Sequence, residues 1–558
     1  MRVPSSAVPE GRGRRDGVDG RLSRRRLLYA ALGAGAATAL GSLGGAPVRA
    51  FAAAQPGGEL FYGLTNRFDT LDPNITTFTD VGRIAYHIFD PLIWEAKAGV
   101  FVPGLAERWD VNAAADQYTF HLRRGVKFHD GTPFDAEAVK FTFDRIVDPA
   151  LKSQSAFSMI GPYDSSTVAD PYTIVVKFKE PYAPFLSSVA QSPLSPVSPA
   201  AVKKYGKDFG THPVGTGSFR LDSYTTDTVV RLVRNPDYQW APSIFKHQGP
   251  PHLDALSFRI IPEASTRLAA LRSGEMHVIQ DVPTQDYRNL QRDTAIQLLQ
   301  GELAGSGWTM MINVTRTPTD DVRVRQALEW GVDKTAMIKA IWQGLYKPAS
   351  SVLTSATFGF DPATRSVYRY DPKKAGALLD EAGWKMGSGG VRQKGGEDLV
   401  LGTYYRADNT DFTAMATFLQ SMYAQIGIKI DLHGLSRAGY FDAVRAGKHN
   451  LQFWWETDPD PDVVRILLHS KNADGGTNRN RYKNAEMDRL IDQASGTTDP
   501  AKRKQLYSQI QMKALREAIM VAFSDPLNIF AYRKGKVDGV LLDWSATNVL
   551  LYDASLPK

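Results

Sequence analysis

LVLGTYY (399–405), TAMATFLQSMYAQIG (413–427) and IKIDLHG (428–434) follow one another closely, and together they decide the fold. The outer two are short apolar runs of strand length, and the middle one is long enough for a helix. Strand, helix, strand is the crossover that builds a parallel sheet. Just beyond it LQFWW (451–455) reads as another strand and runs into ETDPDPD. Asp458 therefore falls at the C-terminal end of a strand, where open α/β sheets commonly place their ligands.

Outward from this unit the same alternation continues. WTMMINV (308–314) reads as a strand, and DVRVRQALEWGVDKTAMIKAIWQG (321–344) as two helices capped by Asp321 and Asp333 and stopped at Gly344. YDPKKAGALLDEAGW (370–384) predicts a further helix: Asp371 caps it, Pro372 takes the first turn, Leu378, Leu379 and Ala382 share a face, and Gly383 ends it. DQYTFHLRRGVKFHDGTPF (116–134) alternates apolar and polar residues on both sides of Gly125 and predicts a β-hairpin turning at Asp130-Gly131. His129, in that turn, reads as a polar surface residue. Asp135 then caps DAEAVKFTFDRI, whose Val139, Phe143 and Ile146 line one face. With the strand TIVVKFK (173–179) and the proline-rich QSPLSPVSPA (191–200), residues 94–210 read as one small α/β lobe. ELFYGL (59–64), VVRLVRN (229–235) and LSFRII (256–261) are strands by pattern, and STRLAALRSGE (265–275) a helix stopped by Gly274. In PVGTGSFRL (213–221) two glycines interrupt an extended stretch, which suits a close backbone crossing or a hinge.

The formal charge of +7 is misleading as a guide to partners. Residues 1–54 hold nine arginines against three acidic residues, so the remaining chain is nearly neutral and a nucleic-acid partner loses its main support. That basic head orders itself as an export signal: an arginine-rich lead, SRRRLL (23–28), an uncharged Gly/Ala-rich run, and small-residue cleavage sites at Ala50 or Ala52–Ala54. Cysteine is absent, which excludes thiolate nucleophiles, thiolate metal sites and a cysteine-anchored lipoprotein.

FWWETDPDPD (453–462) is the stretch with chemistry in it. Asp458, Asp460 and Asp462 have the spacing of a calcium loop, but Val463 stands where the sharp turn needs glycine and His469 where a bidentate glutamate should close the shell. Two readings remain: a proline-stiffened turn, or an organic ammonium held between aromatic faces and a carboxylate. No Gly-x-Ser-x-Gly elbow or His-Glu-x-x-His is present, and the ten histidines form no close pair, so the sequence predicts a protein that is not an enzyme and has neither cofactor nor metal site.

FDPLIWE (89–95), VPGLAERWDV (102–111), the 118–146 segment, PVGTGSFRL, VRVRQALEWGVDK (322–334), YDPKKAGALLDEAGW and DPDPD (458–462) occur in an order that resembles the peptide/nickel class of periplasmic solute-binding proteins, family 5 of ABC-transporter receptors. The resemblance implies a class II two-lobed α/β binding-protein fold with an additional small α/β domain: domain I over 55–93, 211–309 and 526–558, domain II over 94–210 and domain III over 310–525, after a signal over 1–54. SRRRLL likewise resembles the twin-arginine signal, implying periplasmic delivery. The implied receptor is a monomer that closes over its solute and passes it to an inner-membrane ABC permease. Carried over position by position, the ligand-binding set is Asp458 with Trp455 and Trp454, the strand-end pair Tyr405 and Arg406, and Thr77 and Thr79 after the LDPN turn (71–74). Asp458 would then hold a peptide's α-amino group with its carboxylate ionised. Ser436 or Arg437 stands where peptide binders often carry tryptophan. The same fold also binds nickel complexes and oligosaccharides, and an exported hydrolase is the non-binding alternative.

Overall fold

The computed structural model describes residues 57–557, so the signal expected over 1–54 lies outside the described residues. Three larger sheets organise the chain. A seven-stranded sheet has the spatial order 296–302, 527–533, 278–279, 59–64, 255–260, 229–234, 219–225. A six-stranded sheet follows the order 347–348, 520–525, 305–312, 451–457, 400–406, 429–435. A four-stranded antiparallel sheet is built from 106–111, 117–122, 173–178 and 163–170.

The decisive unit folds as its pattern requires. Strands Val400–Arg406 and Lys429–Leu435 pair in parallel, joined by helix Thr410–Ala424, which buries Phe412, Met415, Ala416, Leu419 and Tyr423 against them. The caps also form where Asp supplies an acceptor to orphan helix N–H groups. Asp135 accepts from Ala138 N at 3.0 Å, Asp321 from Arg323 N at 2.9 Å, Asp333 from Ala336 N at 2.9 Å and Asp371 from Lys374 N at 3.0 Å. The second 321–344 helix ends one residue before the expected stop: Gln343 takes the left-handed conformation (φ +55°) and Gly344 follows it.

The 116–134 hairpin does not form as a ladder. Gln117–Leu122 pairs instead with Ala106–Val111 and Thr173–Phe178, and the Asp130-Gly131 turn closes only a single bridge, Lys127 to Pro133. Gly125 turns the chain at φ +79° and Pro133 has no N–H with which to extend a ladder, which leaves Gln117–Leu122 to the partners that sheet assembly offers. His129 is half-buried and engaged rather than free at the surface. Its Nε2 lies 2.9 Å from the Gly217 carbonyl, its backbone N–H donates to Gly215 O, and burial pulls its pKa down to about 4. It pins the PVGTGSF segment, where a Cβ on Gly215 would sit 2.1 Å from Ile88 O and one on Gly217 2.4 Å from His87 O. This is a close backbone crossing, and only glycine passes it.

Each large sheet has its own core. The four-stranded sheet buries Tyr118, Phe120, Phe143 and Phe185, with Phe178 and Phe185 rings 4.6 Å apart; each such side chain contributes about 1.5–3 kcal/mol on burial. The seven- and six-stranded sheets are joined by two very short crossings. The chain passes from 296–302 into 305–312 through Leu303-Ala304, and returns from 520–525 into 527–533 through Pro526. The crossings lie side by side, with Leu303 N donating to Pro526 O at 3.0 Å. No helix among the described residues is long and apolar enough to cross a membrane.

Candidate functional site

One cavity of ≈230 Å³ opens at the end of strand Leu451–Thr457 of the six-stranded sheet. Its walls come from the LDPN turn and the helix that follows (73–86), from Trp94 and Glu95, from the 155–193 region, from Ala304 at the crossing, from 456–459, and from the C-terminal 543–550 segment. Strand Leu451–Thr457 delivers Asp458 to this point. The delivery depends on Gly305, at φ +114°, because a Cβ there would meet Glu456 O at 2.4 Å and Asp458 N at 2.6 Å. Asp458 N donates to Ala304 O at 3.3 Å, which ties the acidic turn to the crossing.

The cavity's charge is one-sided. Glu95, Glu456, Asp458 and Asp543 line it, and no Lys, Arg or His among the described residues does. Burial is the main cause raising each of the four carboxyls above its ordinary value. Glu95 is pushed up to about 7 even though it accepts from Gly99 N at 2.7 Å and Ser187 Oγ at 3.0 Å. Asp458 is pushed well up by burial and then by the charges of Asp460, Glu456 and Asp462, opposed by one hydrogen bond from Asp460 N at 2.9 Å. Burial and the neighbouring carboxylates thus work against ionisation of Asp458 in the empty cavity. Asp543 is the most fully committed of the four, accepting from Ser545, Thr547 and Asn548.

Of the residues expected from the sequence, the cavity gathers Asp458, Thr77 and Thr79. The two threonines stand exposed at the start of helix Thr79–Ile88. The other four lie elsewhere. Trp455 packs into the six-stranded core, 4.9 Å from the Trp308 ring and 5.7 Å from Phe412. Trp454 already carries a cation of this chain: the Arg479 guanidinium lies 3.5 Å from its ring centroid, while its Nε1 donates to Glu456 Oε2 at 3.0 Å. Tyr405 packs towards Phe453, and Arg406 is held by Asp408 through Nε and Nη2 at 3.0 and 3.1 Å. The aromatic faces beside the carboxyls are instead Tyr86 and Trp94, whose rings are 5.4 Å apart, together with Trp544.

Asp460 and Asp462 follow the turn reading. Asp460 is gripped by Arg503, and Asp462 by Arg465 and Ser495. The sequence reading missed Glu95, Asp543, Trp544 and Arg479. Glu95, at the end of FDPLIWE, and Asp543, near the C-terminus, are both distant from Asp458 in sequence, and only the tertiary fold brings the three together.

Residues 100–476 match the family described as bacterial extracellular solute-binding proteins, family 5. The chain is 32% identical over 462 residues to di/tripeptide-binding protein 1 of Pseudomonas aeruginosa, spanning 78% of this chain and 83% of that one. It is 32% identical over 468 residues to the dipeptide-binding protein of Escherichia coli, spanning 79% and 84% respectively. Among solved structures, HbpA2 from Haemophilus parasuis superposes with a TM-score of 0.77 at 26% identity, covering 90% of this chain and all of that one.

Proposed function

Because this chain belongs to the family 5 bacterial extracellular solute-binding proteins, a class of α/β receptors with the two-lobed binding-protein fold, we propose that it captures a short peptide or another small amine-bearing solute in the acidic cavity and delivers it to an ABC permease. The observation that carries the choice of ligand is four half-buried carboxyl groups with no basic side chain among the described residues that line the cavity. An arriving ammonium supplies the missing counter-charge, favours ionisation of these groups, and meets the faces of Tyr86 and Trp94. Relatives named for dipeptides and tripeptides point the same way.

The three sheets support a division into domain I (55–93, 211–309, 526–558), domain II (94–210) and domain III (310–525), with the solute between I and III. SRRRLL supports twin-arginine export to the periplasm. Replacing Arg24 and Arg25 with lysine is then expected to strand the precursor in the cytoplasm, and normal export of that variant excludes the route.

The test of the binding role is mass spectrometry of whatever the purified protein retains, followed by calorimetry with that compound. A retained solute with a cationic group, recovered chemically intact, is the expected result. A tightly bound solute with no cationic group overturns the ligand assignment, and a consumed one overturns the receptor reading in favour of a hydrolase.

A further inference from the structure

The acidic cavity has a basic counterpart. A second cavity, ≈360 Å³, has Arg437, Arg445, Arg479 and Arg481 in its lining and no Asp or Glu among the described residues. Trp454 stands between the two: its Nε1 bonds to Glu456 in the wall of the acidic cavity, and its face carries Arg479 in the wall of the basic one.

Arg479 is the informative residue. Its guanidinium lies over Trp454 and 5.2 Å from the Phe441 centroid. It forms no ion pair among the described residues, and its Nη1 is buried without a hydrogen-bond partner. Burial holds its pKa below the usual arginine value against the attraction of Tyr440 and Glu456. A half-buried cation without an anion carries a desolvation cost that an aromatic face offsets only in part. Arg437 lies 5.7 Å from Phe441, exposed and likewise without a carboxylate partner among the described residues. The other two arginines are engaged: Arg445 pairs with Asp442 at 2.7 Å, and Arg481 donates to Arg445 O at 2.5 Å. Asp474, nearby in sequence, is taken by Lys483 at 2.7 Å.

We propose that this cavity is an anion site in which Arg479 and Arg437 hold a carboxylate or phosphate group. Two sources supply that chemistry: an acidic group of the solute whose cationic end lies in the acidic cavity, or a free inorganic anion. The first source rests on the receptor reading above; the second does not. Two guanidinium forks converging on one anion make short charge-assisted hydrogen bonds, and the loss of either weakens binding by roughly ten- to a hundredfold.

The test uses calorimetry on the wild type, Arg437→Ala and Arg479→Met, with thermal melts to confirm that both variants fold. Alanyl-glutamate is compared with alanyl-glutaminamide, which lacks both acids. The wild type is expected to favour the acid by tenfold or more, and that ratio is expected to collapse in both variants. Inorganic phosphate is titrated separately; saturable binding to the wild type that is lost in both variants assigns the site to a free anion. If neither dipeptide binds, the peptide reading fails while the phosphate titration still decides this one. A ratio unchanged in both variants, or absent in the wild type, together with no saturable phosphate binding, overturns the anion site.

Discussion

Arg503 grips Asp460 through Nη2 and Nη1 at 2.8 and 3.1 Å, with 9% and 8% of the two residues exposed. The turn that looks like one acidic cluster in sequence is thereby divided: Asp460 is spent on internal structure, and Asp458 faces the cavity. Removing one partner of such a pair leaves a buried, uncompensated charge, so Asp460→Asn is expected to cost about 3–5 kcal/mol of stability. Thermal and urea denaturation measure it; a melting temperature within a degree of wild type excludes the structural role.

Asp458→Asn is expected to act in the opposite sense on the empty protein. Its carboxyl is raised in the folded state, so ionisation destabilises the fold at pH values above its unfolded value, and the amide removes that penalty. The empty variant should melt at or above the wild-type temperature at pH 8. Its affinity for a cationic solute should fall by roughly ten- to a hundredfold, the worth of one charge-assisted hydrogen bond. Unchanged affinity in calorimetry shows that the solute's cation is held elsewhere.

Glu95 sets a pH dependence. Its folded pKa of about 7 lies above the ordinary 4.5, so its contribution to stability is fully present below about 4.5 and is lost as pH rises through 7. Cation binding runs the other way, because it needs the ionised form: affinity should weaken by up to about tenfold per pH unit below 7, with protons released on binding. Calorimetry in buffers of different ionisation enthalpy reads the released protons directly. In Glu95→Gln both trends between pH 5 and 8 should flatten, and a Gln variant with the wild-type profile removes Glu95 from the account.

Closure about the paired crossings at Leu303-Ala304 and Pro526 should make the particle more compact when a solute binds, and should raise its melting temperature by mass action. Small-angle scattering and thermal shift at saturating solute test this. An unchanged radius of gyration with a raised melting temperature would mean binding without closure.

How far the sequence could be read depended on the range of the interaction. The caps at Asp135, Asp321, Asp333 and Asp371 and the crossover ending at Asp458 are settled within a few residues, and they were legible. The 116–134 hairpin was misread because Gln117–Leu122 finds better partners at 106–111 and 173–178, a choice made by sheet assembly. The same limit hid Glu95 and Asp543, which reach the site through tertiary contact alone. It also hid Arg479, which occupies the tryptophan face that the sequence left for a ligand.

The two crossings between the large sheets also fix the topology of residues 305–525. The segment leaves after Ala304 and returns at Pro526, where one hydrogen bond links Leu303 to Pro526. In chain terms it is an insertion whose two ends are neighbours, carrying its own core of Leu401, Phe412, Phe453 and Phe523. Such a segment can be excised and its gap bridged by a short linker, because neither part has to stretch to reach the cut. Glu456, Asp458 and the four arginines would leave with the insertion, Glu95 and Asp543 would stay behind, and the acidic wall would be divided two and two.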